Sequence, residues 1–119
     1  VLADGDEHGW HFDDNDFVVS LLLQSPIAGG QFEVLPNCRS AQGEDIERIG
    51  RDFDGAAASL ARPELRPGTL SLFRGQRSLH YVTQVSGPRP RLITVFSYDR
   101  RPGMWFPDAV RSNVYGRLS

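Results

Sequence analysis

The sequence predicts a mainly β domain of the sandwich or barrel kind, with a jelly roll as the arrangement that suits it best. Three observations carry that expectation. Short apolar or alternating runs are each closed by Gly or Pro, a single stretch has helical periodicity, and 119 residues at 39% apolar and 24% charged have ordinary globular composition. A chain of this length suits one domain around one core.

Trp10 to Asp13 alternates aromatic with polar, so in a strand His11 and Asp13 share one face and Trp10 and Phe12 the other. Trp10 and Phe12 are therefore assigned to core packing. Phe17-Val18-Val19-Ser20-Leu21-Leu22-Leu23 is nearly continuous hydrophobic, the pattern of a strand covered on both faces. Gly29-Gly30 opens a second run, Gln31 to Leu35, closed by Pro36. Between Ala41 and Leu60 the character changes: Ile46, Ile49 and Phe53 recur at helical spacing among charged residues, which predicts an amphipathic surface helix stopped by Gly55. Pro63 and Pro67-Gly68 lead back into β structure. Three runs follow, Thr69–Phe73, Ser78–Val85 and Arg91–Tyr98, separated by Arg74-Gly75-Gln76-Arg77 and by Gly87-Pro88-Arg89-Pro90.

This makes about six strands, where a jelly roll has eight. The shortfall falls at the N-terminal end. The expectation is that residues 1–119 are one catalytic core, the C-terminal part of a longer protein whose preceding elements cover the outer face of strand 17–23.

Composition excludes several functions. A net charge of −2 with scattered arginines gives no basic face, which argues against nucleic acid as a partner. No apolar run is long enough for a membrane span. A lone Cys38 excludes an internal disulfide and a structural zinc site, reads as an inert small hydrophobe, and suits a reducing, cytoplasmic setting. All thirteen basic residues are arginine. Schiff-base chemistry, a phosphate-loop lysine and a lysine general base are thereby excluded, and any bound anion must be held by arginine, histidine or backbone N–H.

The chemistry concentrates in His11-Phe12-Asp13 and in His80, which sits inside a strand-like run. Two histidines and one carboxylate are the protein ligands of the non-haem Fe(II) site whose remaining positions stay open. Fifteen acidic residues among 119 make an acid two places after a given histidine roughly a one-in-eight event. The pair therefore draws its weight from strand context. The plain alternatives are a surface salt link for His11 and Asp13 and a satisfied core histidine for His80. His8 reads as a solvated residue of a Gly- and acid-rich loop, and Arg77 as a surface charge. Asp14, Asn15, Asp16 and Ser78 are near enough to steady the ligands. The acidic string 13–16 lacks the glycine and distant glutamate of a calcium loop.

Five ordered blocks then carry a resemblance. They are Trp10-His11-Phe12-Asp13; an apolar strand ending Leu21-Leu22-Leu23-Gln24 before Pro26; Gly29-Gly30 with Phe32-Glu33 and Pro36; Phe73, Gly75, Ser78-Leu79-His80, Val82, Val85 and Gly87; and Pro90-Arg91-Leu92, Val95, Ser97-Tyr98-Asp99 with Pro102-Gly103. In this order and spacing the chain resembles the Fe(II)/2-oxoglutarate-dependent oxygenases, and within them the bacterial branch of free amino-acid hydroxylases and radical halogenases. The likeness runs from Trp10 to Gly103 and extends weakly to Tyr115-Gly116-Arg117.

The resemblance implies a double-stranded β-helix with one inserted short helix and a C-terminal extension. It would hold Fe(II) through His11, Asp13 and His80, with 2-oxoglutarate and O2 as co-substrates and succinate and CO2 as products. It also implies an arginine on a late strand that pairs with the far carboxylate of 2-oxoglutarate. Arg91 shares a face with Ile93 and Val95, where a guanidinium must find a planar anionic partner, and is preferred; Arg89, in the preceding loop, is the second choice. In halogenating relatives a glycine or alanine stands where this chain has Asp13, so hydroxylation is expected over chlorination. The implied substrate is a free amino acid or small amino-acid-derived metabolite. The competing expectation is a jelly-roll protein that binds metal or ligand without turnover.

Overall fold

Period-two alternation along short strands sorts the side chains of this chain onto opposite faces of two small sheets. In the structure, a computed structural model that describes residues 1–54 and 59–115, the elements are β1 (His8–His11), β2 (Phe17–Gln24), β3 (Ala28–Gly29), β4 (Phe32–Leu35), β5 (Arg39–Ser40), β6 (Gly43–Glu44), α1 (Ile46–Phe53), β7 (Leu70–Phe73), β8 (Leu79–Val82), β9 (Val85–Ser86), β10 (Leu92–Tyr98) and α2 (Asp108–Tyr115). The fold is mainly β, as expected. One sheet has the order β1-β8-β4 and the other β10-β2-β7, all neighbours antiparallel, with two-residue pairs β3·β9 and β5·β6 beside them. The six longer strands alternate strictly between the two sheets along the chain, and neither sheet closes on itself.

Several boundaries differ from the sequence expectation. The run Ser78–Val85 divides into β8 and β9, because the chain leaves β4 and pairs its next residues with Ala28 and Gly29. β1 begins at His8 and ends at His11, so Asp13 lies beyond the strand. α1 is capped by Asp45, whose side chain accepts from the Arg48 N–H at 3.1 Å, and Asp54 is its C-cap. Gly55, expected to stop this helix, lies outside the described residues, as do Gly116 and Arg117. The C-terminal extension contains α2, which no sequence signal indicated.

Side-chain parity sets the roles of the first sheet. Along β8, Leu79 and Tyr81 face one way and His80 and Val82 the other; opposite them on β4 stand Leu35, Glu33, Val34 and Phe32 respectively. Leu35, Cys38 and Leu79 form the buried cluster on the outer face, with Trp10, Phe12, Ile49 and Leu60 packed against it. Trp10 and Phe12 thus take the packing role their parity predicts. Trp10 stacks on Tyr81 at 4.0 Å and meets the Phe53 edge at 5.1 Å, so α1 lies over this face of the sheet. Cys38 is a free, buried thiol that donates to the Leu35 carbonyl and accepts from the Leu79 N–H, both at 3.3 Å.

On the second sheet the expectation of two covered faces is not met by the described residues. Ser20, Ser71, Ile93 and Val95 face the first sheet across a cavity, whereas Leu70 and Leu72, 69% and 73% exposed, lie on the outer face with Phe96 and Tyr98. Among the described residues, no helix is long and apolar enough to cross a membrane.

The contrast between the two faces is testable by chemical denaturation. Leu35→Ala, at a position 2% exposed, is expected to cost about 2–5 kcal/mol of stability. Leu72→Ala should stay within about 0.5 kcal/mol.

Candidate metal centre

The pairing of β1 with β8 sets His11 directly opposite His80, both on the face turned toward the second sheet. Their rings lie 4.1 Å apart between centroids. Asp13 follows two residues past the strand end, and its position owes more to a backbone contact than to strand parity: its N–H donates to the Gly75 carbonyl at 3.1 Å. Its Oδ1 stands 3.6 Å from His11 Nε2 and 3.5 Å from His80 Nε2. One ligand atom from each of the three residues falls within 4.8 Å of the others, and this is the one such group among the described residues.

Both imidazoles are held in the same tautomer. His11 Nδ1 lies 2.7 Å from the Gly9 carbonyl and His80 Nδ1 2.8 Å from the Ser78 carbonyl. A carbonyl can only accept, so each Nδ1 carries the proton, and in the neutral ring each Nε2 presents a lone pair toward Asp13. Of the four residues named as candidates to steady the ligands, Ser78 does so, through its backbone carbonyl on His80; for His11 the carbonyl is that of Gly9. The Ser78 hydroxyl accepts instead from the Asn37 N–H. Asn15 donates to the Phe17 and Tyr98 carbonyls, and Asp16 accepts from the backbone and guanidinium of Arg100, which ties the loop after Asp13 to the end of β10.

The donor set fits a metal ion. Two ligands about 2.1 Å from one ion are about 3.0 Å apart at a right angle and about 4.2 Å apart when trans, so separations of 3.5 and 3.6 Å lie within reach of a single centre. Asp13 Oδ2 is fully buried with no hydrogen-bond partner. An orphaned buried acceptor costs about 1–3 kcal/mol, more when charged, which a cation beside the carboxylate would offset.

Electrostatics agree. Burial raises the Asp13 pKa, but hydrogen bonding to His11 and His80 outweighs it and holds the carboxyl well below the usual carboxylate range. Burial lowers His11, and its contacts with Asp13 and the Gly9 carbonyl outweigh that and raise it above its ordinary value. His8 lies on β1 rather than in a loop, its ring 4.1 Å from that of His11. Desolvation, then repulsion from His11 and His80, push it down to about 4.

Arg91 lies just before β10, 5% exposed, with backbone hydrogen bonds to Leu2 on the sheet edge. Gly30, at φ 63°, leaves room for its stem: a Cβ there would come 3.2 Å from Arg91 Cδ. Its guanidinium has no carboxylate beside it among the described residues, and burial is the sole influence on its pKa, which it lowers. Arg91 lines a cavity of about 450 Å³ together with His11, Asp13, His80, Phe73 and Ile93. A second cavity of about 360 Å³ shares the wall His8, His11, Asp13 and Val95, and is completed by Asp14, Ser97, Phe106 and Val110. Arg89 stands apart from both: it is exposed and donates to the Pro26 carbonyl at 3.3 Å. Arg77 is exposed as well.

Proton and metal compete for the Nε2 lone pairs, so Co(II) affinity is expected to fall about tenfold per pH unit for each imidazole proton that must be displaced. The metal-free protein should show the opposite trend at neutral pH. Above pH 6.5 the folded chain retains a proton on His11 that the unfolded chain has lost, so stability falls as pH rises through the raised His11 pKa; between about pH 4 and 6.5 the depressed His8 makes stability rise with pH. Thermal melts of metal-free protein should therefore peak near pH 6.5, and Co(II) should restore what is lost above it.

No curated protein matches the chain. The sequence does match the family described as Halogenase D, over residues 2–104, a span that holds β1 through β10, the clustered residues His11, Asp13 and His80, and Arg91. The chain belongs to the Halogenase D family.

Proposed function

We propose that this chain is an Fe(II)- and 2-oxoglutarate-dependent oxygenase that hydroxylates an unactivated C–H of a free amino acid or small amino-acid-derived metabolite. One observation carries the reading: a carboxylate oxygen stands 3.5–3.6 Å from the Nε2 atoms of two histidines whose tautomers are already set for metal binding. Two histidines and a carboxylate with open positions is the donor set of non-haem Fe(II) oxygenases. The strict alternation of six strands between two facing sheets supports a double-stranded β-helix, although the sheets do not close.

Bound Fe(II) would supply the redox chemistry in which substrate C–H, O2 and 2-oxoglutarate give substrate C–OH, succinate and CO2. The chain's own residues do the rest. His11, Asp13 and His80 hold the ion from one side. Arg91, buried and without an anionic partner, offers a planar fork to the far carboxylate of 2-oxoglutarate. Phe32, Phe73, Val82, Ile93 and Val95 keep that cavity apolar, which strengthens the ion pair. The second cavity, on the other side of the shared wall, is the place for the primary substrate. The free thiol of Cys38 suits a cytoplasmic setting, where Fe(II) also stays reduced.

Asp13 directs the outcome within a family described as halogenases. The resemblance to the radical halogenases implies that a glycine or alanine at this position leaves a coordination site for chloride; the Asp13 carboxylate would fill that site here and favour hydroxylation.

The test is succinate release and anaerobic 2-oxoglutarate binding by purified protein with Fe(II). Slow succinate formation without substrate, abolished in His80→Ala, is expected, along with a product one oxygen atom heavier than its substrate, chloride having no effect. Arg91→Gln should weaken 2-oxoglutarate binding roughly ten- to hundredfold, the worth of a charge-assisted hydrogen bond, while metal affinity is unchanged. Folded protein that retains metal yet binds no 2-oxoglutarate would instead be a binding protein.

A further inference from the structure

Gly75 lies in the turn between β7 and β8, buried, and its backbone is outside the left-handed region, so no dihedral constraint calls for glycine there. Space does. A Cβ at this position would overlap the Oδ2 and Cγ of Asp13 and come 2.9 Å from His80 Cε1. The same residue's carbonyl accepts from the Asp13 N–H at 3.1 Å and from the Ser78 N–H at 3.4 Å. Ser78 in turn holds the His80 ring through its carbonyl. One turn thus governs two of the three clustered donors, one by a missing side chain and the other by a backbone acceptor.

We infer that Gly75 is a positioning residue for the metal centre: its bare Cα forms the seat of the Asp13 carboxylate, and its carbonyl fixes the height of the loop that carries it. Oδ2 rests against Gly75, which leaves Oδ1 as the oxygen turned between the two Nε2 atoms. Any side chain at 75 pushes the carboxylate out of that seat. The inference rests on the metal-centre reading proposed above and adds to it a residue without donor atoms of its own in the site.

A double-mutant cycle of Gly75→Ala with Asp13→Ala tests it, read by Co(II) titration and by thermal melts of the metal-free proteins. Gly75→Ala alone should weaken Co(II) binding roughly 10- to 100-fold, the effect of losing a group that orients a ligand, and change the Co(II) absorption spectrum. In the Asp13→Ala background the same substitution should change affinity several-fold less, and most of the melting temperature lost in Gly75→Ala should return, because the group it overlaps most is gone and only the closer approach to His80 Cε1 is left. Should Gly75→Ala alone fail to fold, recovery of a cooperative melt in the double variant carries the same meaning. Wild-type Co(II) affinity in Gly75→Ala, or equal losses in both backgrounds, would overturn the inference. Should the wild-type chain take up no Co(II), the metal-centre reading fails, and the metal-free melts still decide whether Gly75 seats the carboxylate.

Discussion

The antiparallel register of β1 on β8 is the constraint on which the rest depends. It sets His11 opposite His80 on the inner face and, by the same parity, puts Trp10, Leu79 and Tyr81 on the outer face beneath α1. A slip of one residue would exchange the faces of the slipped strand, sending an imidazole into the hydrophobic cluster and a large apolar side chain into the cavity. The burial of Leu35, Cys38 and Leu79 therefore specifies how His11 and His80 face each other as well as the stability of the sheet. Site and core are two sides of one pairing.

Asp13 obeys a different rule. It stands beyond the end of β1, held at its backbone by the Gly75 carbonyl and followed by residues bound to the far end of β10 through Asn15, Asp16 and Arg100. The carboxylate is thereby fixed relative to both sheets, since β1 belongs to one and β10 to the other. Arg91, at the opposite end of β10, borders the same cavity. The second sheet thus serves as the frame that sets the distance between the carboxylate and the buried Arg91 guanidinium.

What was legible in the sequence was what leaves a side-chain signature. Alternation around Trp10-His11-Phe12 shows which of those residues face inward, His80 is legible as a strand residue, and Arg91 stands out as a guanidinium in register with Ile93 and Val95. The backbone partners are legible only for Ser78, which its place two residues before His80 marks as a candidate; the carbonyl of Gly9 and the bare Cα of Gly75 act through an atom that every residue has, or one that glycine lacks, and no periodicity marks them. A glycine inside an otherwise polar turn reads as turn chemistry, and only the proximity of Asp13 gives it another role. The strand position of His8 is hidden in the sequence because Gly9 and the acids before it mask a strand that starts at His8, two residues before Trp10. The two-residue pairs β3·β9 and β5·β6 are too short for any pattern to show. The apolar run of β2 is legible as a strand, whereas what lies on each of its faces is not, because hydrophobicity records a preference for burial without naming the partner.

The central claim is that the register of β1 on β8 and the seat of Asp13 together create one centre with two imidazoles and one carboxylate. X-ray absorption spectroscopy of the protein loaded with one equivalent of Fe(II) under anaerobic conditions tests it most directly. The account predicts two imidazole nitrogens in the inner coordination shell, falling to one in His80→Ala and unchanged in His8→Ala. An inner shell that loses an imidazole in His8→Ala, or that is the same in His80→Ala as in the wild-type protein, would contradict it.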